Sequence, residues 1–149
     1  MTVLELMSHR VVTVGPKTPL REVLQLMLRY HLNDIVIVDG EQKIAGIVTY
    51  PDISRKLLPT EQELMEHEEY ITTPQSMEDR FANIASVPVD EIMTRNVITV
   101  SPDLEALKAG AIMTARRVKQ LPVVQSHKVI GIITYTDIGW GLMRHLLNG

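Results

Sequence analysis

Twice in this chain a threonine that closes a β-branched run stands three residues ahead of an aspartate: Thr49 with Asp52, and Thr134 with Asp137. Those residue types at that spacing can do binding chemistry. A strand that ends in threonine and feeds a helix exposes the first helical amides, which attract anions, and the hydroxyl adds a donor for a phosphate. The aspartate offers two acceptor oxygens, suited to the vicinal hydroxyls of a ribose. A plainer reading stands beside this one. Threonine before a helix is a cap, and aspartate in a first turn is favoured by the helix dipole alone. The residues by themselves leave both open.

The surroundings of the two pairs differ. Arg116, Arg117 and Lys119 precede the central strand of the second copy, and Arg95 precedes its first strand. A polyphosphate would want that cationic set, although cations at a helix end also simply suit the dipole. At the matching places the first copy has His31, Asn33 and Asp34, with His9 and Arg10 earlier. Asp34 would repel a phosphate if it faced the same site. Thr134 and Asp137 therefore rank above Thr49 and Asp52.

The elements that must position these residues are themselves duplicated. Gly46 to Ile53 returns as Gly131 to Ile138 at a spacing of 85 residues. Upstream the echo runs at a spacing of 86, with Val3, Met7, Val11, Met27 and Val38 matching Val89, Met93, Val97, Met113 and Val124. Repeats settle architecture before anything else. In the first copy Val11 to Val14 reads as a strand, and Thr18 caps a helix with Pro19 at its first position. The 3-and-4 spacing of Leu20, Val23, Leu24, Met27 and Leu28 marks that helix's buried face. Ile35 to Val38 and Lys43 to Thr49 form a hairpin, and a last helix runs from Pro51-Asp52 to about Leu58. The second copy repeats this at Val97–Val100, Pro102–Ala115, Leu121–Val124, Lys128–Thr134 and Thr136–Leu147. The expected fold is mixed α+β: two pseudosymmetric β-α-β-β-α repeats packed sheet to sheet, at 1–58 and 89–149. An acidic helical connector at 59–88 separates them, with a capping box at Thr60 to Glu63. In the connector's second half Met77, Phe81 and Ile84 share one face. It reads as a solvated linker, with docking of a basic partner as the lesser alternative.

Taken together, the paired Gly-x-x-Thr-x-x-Asp elements, Met93 to Val100 (Met-Thr-Arg-Asn-Val-Ile-Thr-Val) and Leu121-Pro122-Val123-Val124 resemble a tandem of CBS domains, the arrangement called a Bateman module. The resemblance spans residues 3 to 57 and 89 to 143. It implies a sensor that binds an adenosine compound (AMP, ADP, ATP, S-adenosylmethionine or a cyclic dinucleotide) in the clefts between copies and so alters its interactions with a protein effector. It implies a disc-like homodimer as well. By the same resemblance an apolar adenine slot would be made by Val12, Thr13 and Val14 with Ile35 and Val36, or by Ile98, Thr99 and Val100 with Leu121 and Pro122. Arg95, Arg117 and Lys119 are the candidate phosphate contacts of the second copy, and His31 is a candidate ligand contact at the matching place in the first. The first copy departs from the pattern, having Ile35-Val36-Ile37 where Leu121-Pro122-Val123 stands in the second. The rival expectation is a ligand-free dimerisation or scaffold module whose threonines and aspartates only cap helices.

Composition narrows the classes. The chain has 149 residues, 45% apolar and 22% charged, with a net charge of −3. That is ordinary globular composition, and no basic field draws it to nucleic acid. There is no cysteine, so disulfides and thiol chemistry are excluded. The first residues lack a signal-peptide pattern and no apolar run reaches the roughly 18 residues of a span, so a cytoplasmic protein is expected. The five histidines show no metal-ligand spacing, and no nucleophile elbow or Walker loop occurs, so neither a metal nor catalysis is expected. Ala106, Ala109 and Gly110 replace Leu20, Val23 and Leu24 on the second copy's first helix. The final helix carries Trp140, Leu142, Met143, Leu146 and Leu147. Core packing explains each of these features, and together with the resemblance they favour a homodimer along those helices.

Overall fold

The computed structural model describes residues 1–149, except for the side chain of Tyr70. Its elements run in the order α1 (Val3–Leu6), β1 (Thr13–Val14), α2 (Leu20–Tyr30), β2 (Asp34–Val38), β3 (Ile44–Thr49), α3 (Tyr50–Leu57), α4 (Glu61–Ile71) and α5 (Pro74–Ile84). A 3-10 turn (Val89–Glu91) follows, then α6 (Ala106–Arg116), β4 (Gln120–Gln125), β5 (Lys128–Thr134) and α7 (Tyr135–Asn148). The fold is mixed α+β, as the repeat pattern leads one to expect.

The chain divides into two compact units that do not coincide with the sequence repeats. One comprises Met1–Val12, Glu41–Ile44 and Asn96–Gly149; the other comprises Thr13–Gly40 and Ala45–Arg95. Each has its own core. Val3 and Met7 join Val100, Ala109, Met113, Leu121, Val123, Ile133 and Ile138 in the first. Val89 and Met93 join Leu20, Val23, Met27, Ile35, Ile37, Val48 and Ile53 in the second. The opening segment of each repeat thus completes the core that the other repeat mostly builds.

In the Thr13–Arg95 unit, β1 pairs in parallel with β2, Thr13 opposite Val36, and β3 lies on the other side of β2. In the Asn96–Gly149 unit, β4 and β5 form an antiparallel pair from Gln120–Thr134 to Gln125–Lys128, with a bulge between Val123 and Val124. The strand expected at Val97–Val100 is reduced to a single parallel bridge between Val100 and Val123. Val100 N–H donates to the Pro122 carbonyl, and the Val100 carbonyl accepts from Val124 N–H.

Three local readings change. The cap of α2 is Pro19, not Thr18, with no side-chain bond to the helix. Thr18 instead serves through its carbonyl, which accepts from Val89 N–H. Helix α6 starts at Ala106, later than the expected Pro102. Residues 102–105 are spent on the opening segment, where Val3 and Leu4 N–H donate to the carbonyls of Leu104 and Pro102. The short helix α1 went unread because four residues carry no periodicity. Its start is set by a capping box in which Thr2 N–H donates to Glu5 at 2.5 Å. That backbone bond, with the Thr2 hydroxyl, holds the Glu5 carboxyl below the usual carboxylate range.

Candidate functional site

Both Thr–Asp pairs sit where the last residue of a hairpin strand becomes the cap of a helix. Thr49 caps α3 and Thr134 caps α7, each with extended backbone. The hairpin strand requires the extended conformation up to the threonine, and the aspartate three residues on reaches back to its N–H. Asp52 Oδ2 accepts from Thr49 N–H at 2.9 Å. Asp137 Oδ2 accepts from Thr134 N–H at 2.8 Å. The capping geometry weighed from sequence is therefore present at both.

The pairs differ in what remains for a ligand. At the first, the Thr49 hydroxyl also donates to Asp52 Oδ2 at 2.9 Å, and Arg55 holds Oδ1 at 2.6 Å. Both carboxylate oxygens and the hydroxyl proton are committed. At the second, the Thr134 oxygen accepts from Asp137 N–H at 3.1 Å, which leaves its proton available to donate. Asp137 Oδ1 has no partner among the described residues. Both aspartates are half-buried, within reach of solvent. An acceptor oxygen and a hydroxyl proton held in place by the cap are what a diol and a phosphate oxygen would need.

The other expected site residues fall on strands, helix ends and loops of each unit. In the Asn96–Gly149 unit the Lys119 carbonyl accepts from Tyr135 N–H at 2.8 Å, placing the backbone of the expected cationic segment against the start of α7. Thr134 lies opposite Gln120 in the β4–β5 register. Thr99 is exposed and Val100 buried beside Pro122, and Leu121 and Pro122 are buried in β4. Arg117 is the left-handed C-cap of α6, at φ 55°. His31 is its counterpart on α2, at φ 53°. Both are exposed, and both adopt a conformation that usually selects glycine.

In the Thr13–Arg95 unit Asn33 plays the part of Lys119, its carbonyl accepting from Tyr50 N–H at 2.8 Å. Thr13 is exposed and Val14 half-buried in β1, while Ile35 and Val36 are wholly buried. Ile35 belongs to that unit's core, as Val100 and Leu121 belong to the core of the other. Arg95 is the last residue of this unit. Its guanidinium donates to the Asp90 carbonyl at 3.0 Å.

The motif glycines, read as part of the site signature, prove to be packing residues. A Cβ on Gly131 would lie 2.7 Å from Met7 Sδ and 2.7 Å from the Ser8 carbonyl. One on Gly46 would lie 2.4 Å from Met93 Sδ and 2.9 Å from the Thr94 carbonyl. The small residues of α6 are also used internally: Ala106 and Ala109 are fully buried, and Gly110 abuts Ile138. Among the described residues no group of acidic or histidine side chains could hold a metal ion, and no helix is long and apolar enough to cross a membrane.

Comparison with known proteins places these features. The CBS domain family model matches residues 3–59 and 89–138. The chain is 29% identical over 135 residues to inosine-5′-monophosphate dehydrogenase of Methanocaldococcus jannaschii, a match covering 90% of this chain and 22% of that enzyme. It spans about a fifth of the length of such curated relatives. Among solved structures, one CBS domain pair in complex with 5′-methylthioadenosine and S-adenosyl-L-methionine superposes with a TM-score of 0.73 at 23% identity, covering 97% of this chain and 98% of that one. A CBS-domain protein in complex with AMP gives a TM-score of 0.73 at 18% identity, with the same coverage. At those identities the likeness is one of fold.

Proposed function

The chain belongs to the CBS domain family as a tandem pair, and from that premise we propose that it is a regulatory module that binds an adenosine nucleotide (AMP, ADP or ATP) and passes the binding on to a protein effector in the cytoplasm. The observation that carries the reading is the state of Asp137. One of its oxygens is locked by Thr134 N–H while the other has no partner among the described residues, beside a hydroxyl with its proton to give. In this reading Asp137 takes the ribose hydroxyls, Thr134 a phosphate oxygen, and Arg117 or Lys119 the remaining phosphate charge. Thr99, Val100 and Pro122 would flank the base. Signalling requires the ligand to bind one arrangement of the module better than another.

The rival, a ligand-free dimerisation or scaffold module, draws support from the caps being fully formed and from the exposed apolar surface of α7. Trp140 is 61% exposed and Leu147 is 84% exposed. The two readings are separated by Asp137→Asn, which keeps an oxygen to accept from Thr134 N–H but loses the second acceptor. A thermal-shift panel of AMP, ADP, ATP and S-adenosylmethionine should stabilise the wild-type chain by about 2.7 kcal/mol at a hundred times the dissociation constant. The variant should melt close to wild type without ligand and lose most of that gain. Ligand-independent melting of both proteins would decide for the scaffold.

A further inference from the structure

Two helices, one in each unit, leave apolar side chains bare, and the charges around them are opposite. Helix α7 exposes Trp140, Met143, Leu146 and Leu147. Trp140, Met143 and Leu147 recur at helical spacing along one side, and Arg144 flanks that side one turn from Trp140. Helix α6, which packs on α7, exposes Leu107 and Lys108. Neither α6 nor the part of α7 beyond Asp137 contains an acidic residue. The fold alone does not require this stripe. At the repeat spacing of 85 its four residues stand where the first repeat has Arg55, Leu58, Glu61 and Gln62, all exposed and only one of them apolar. A contiguous apolar patch with a polar rim marks an interaction surface.

Helix α4 has the complementary character. Its 11 residues include five glutamates and no lysine or arginine. Arg80 engages Glu63, while Glu61, Glu66, Glu68 and Glu69 make no ion pair among the described residues. Met65 is 80% exposed in their midst. On α5, which packs against α4, Met77 is 47% exposed. Lys108, Arg116 and Arg144 also make no ion pair among the described residues. Cations without acids therefore border one apolar surface, and acids without a balancing cation border the other.

Charge decides which occupant suits α7. Laid against α7 of another copy, it would set Lys108 and Arg144 near their own counterparts, with no acid to offset them. Like charges facing one another suppress such a pairing. Laid against α4 of another copy, the same cations meet uncommitted glutamates, and the apolar stripe meets exposed methionines. We propose that α7 of one copy docks on α4 of a second, with Trp140 and Leu147 on the methionines and Lys108 and Arg144 on the glutamate rim. Each copy carries both surfaces, so a two-fold axis makes the contact twice. The interface stands independently of any nucleotide at Asp137.

The test is analytical ultracentrifugation of the full chain and of two charge-reversed variants. One carries Lys108→Glu with Arg144→Glu, the other Glu68→Lys with Glu69→Lys. All four side chains are exposed, so neither variant disturbs a core. The wild-type chain is expected to dimerise, with a dissociation constant that rises with salt as the rim charges are screened. Each variant alone should dimerise tenfold or more weakly, because like charges then meet at both contacts. Mixed in equal amounts, the two should form a heterodimer close to wild type in affinity, since one contact is native and the other has its charges exchanged. A monomeric wild-type chain would overturn the proposal and leave α7 to an effector. Variants that each dimerise as wild type does would overturn it too; if Trp140→Ala then abolished the dimer, α7 would be packing on its own counterpart. Weakened variants that mixing fails to rescue would equally refute the pairing of α7 with α4.

Discussion

At the scale of single residues, the two aspartates show how one sequence motif can be spent in different ways. Asp52 and Asp137 occupy equivalent cap positions, yet Arg55 closes the first and nothing described closes the second. Arg55 is 72% exposed, and an ion pair that open is worth less than about 1 kcal/mol. It therefore hinders a ligand at Asp52 without forbidding it. Arg55→Ala should tighten nucleotide binding at the first copy by roughly two- to fivefold, the equivalent of that energy. Calorimetry on the Asp137→Asn background, where the second copy is silent, isolates the effect. Weaker binding in Arg55→Ala would mean instead that the guanidinium touches the ligand. From sequence, the preference for the second copy rested on Arg116, Arg117, Lys119 and Arg95, on Asp34 in the first copy, and on Ile35-Val36-Ile37 standing where the second has Leu121-Pro122-Val123. The structure adds a separate reason, the Asp137 carboxylate oxygen that has no partner among the described residues. No spacing rule could reveal it, because it depends on where the long, flexible side chain of Arg55 comes to rest.

At the scale of elements, what was legible is what periodicity controls. The run of β-branched residues and the 3-and-4 spacing located β2, β3, β5, α2 and α7 closely, and the duplication located the caps. Elements set by long-range contact were not legible. The bridge at Val100 needs Val123, and α1 needs its place against residues 102–105. The motif glycines belong with these. Their role lies in room for Met7 and Met93 from the repeat openings, 124 residues away in one case and 47 in the other. Gly131→Ala places its methyl 2.7 Å from a backbone carbonyl, which cannot swing aside as a methionine tip can. Overpacking of that kind costs about 1–3 kcal/mol. Chemical denaturation should show a loss in that range for Gly131→Ala and for Gly46→Ala. A neutral Gly131→Ala would mean that the Met7–Ser8 segment is not seated on β5 as described.

At the scale of the whole molecule, the interleaving of the two repeats makes a prediction that neither repeat alone would suggest. Val3 is fully buried with residues of the second repeat, and Val89 is fully buried with residues of the first. Sequence order would assign a defect at Val3 to the repeat it begins. The core assignment sends it to the other one. Truncating a buried valine to alanine removes two methyls and leaves a cavity, at a cost of about 2 kcal/mol. Because local openings sample free energies below the global one, such a loss shows first in the unit whose core is damaged. Amide hydrogen exchange on the full chain should therefore find Val3→Ala accelerating β4 and β5 while sparing β2 and β3. Val89→Ala should do the reverse. If Val3→Ala instead loosened β2 and β3, each repeat would be folding on its own opening segment, and the exchanged cores would be wrong. If both variants loosened all four strands equally, the two units would open as one cooperative body, and a ligand held at Asp137 would then stabilise the Val89 core as strongly as its own.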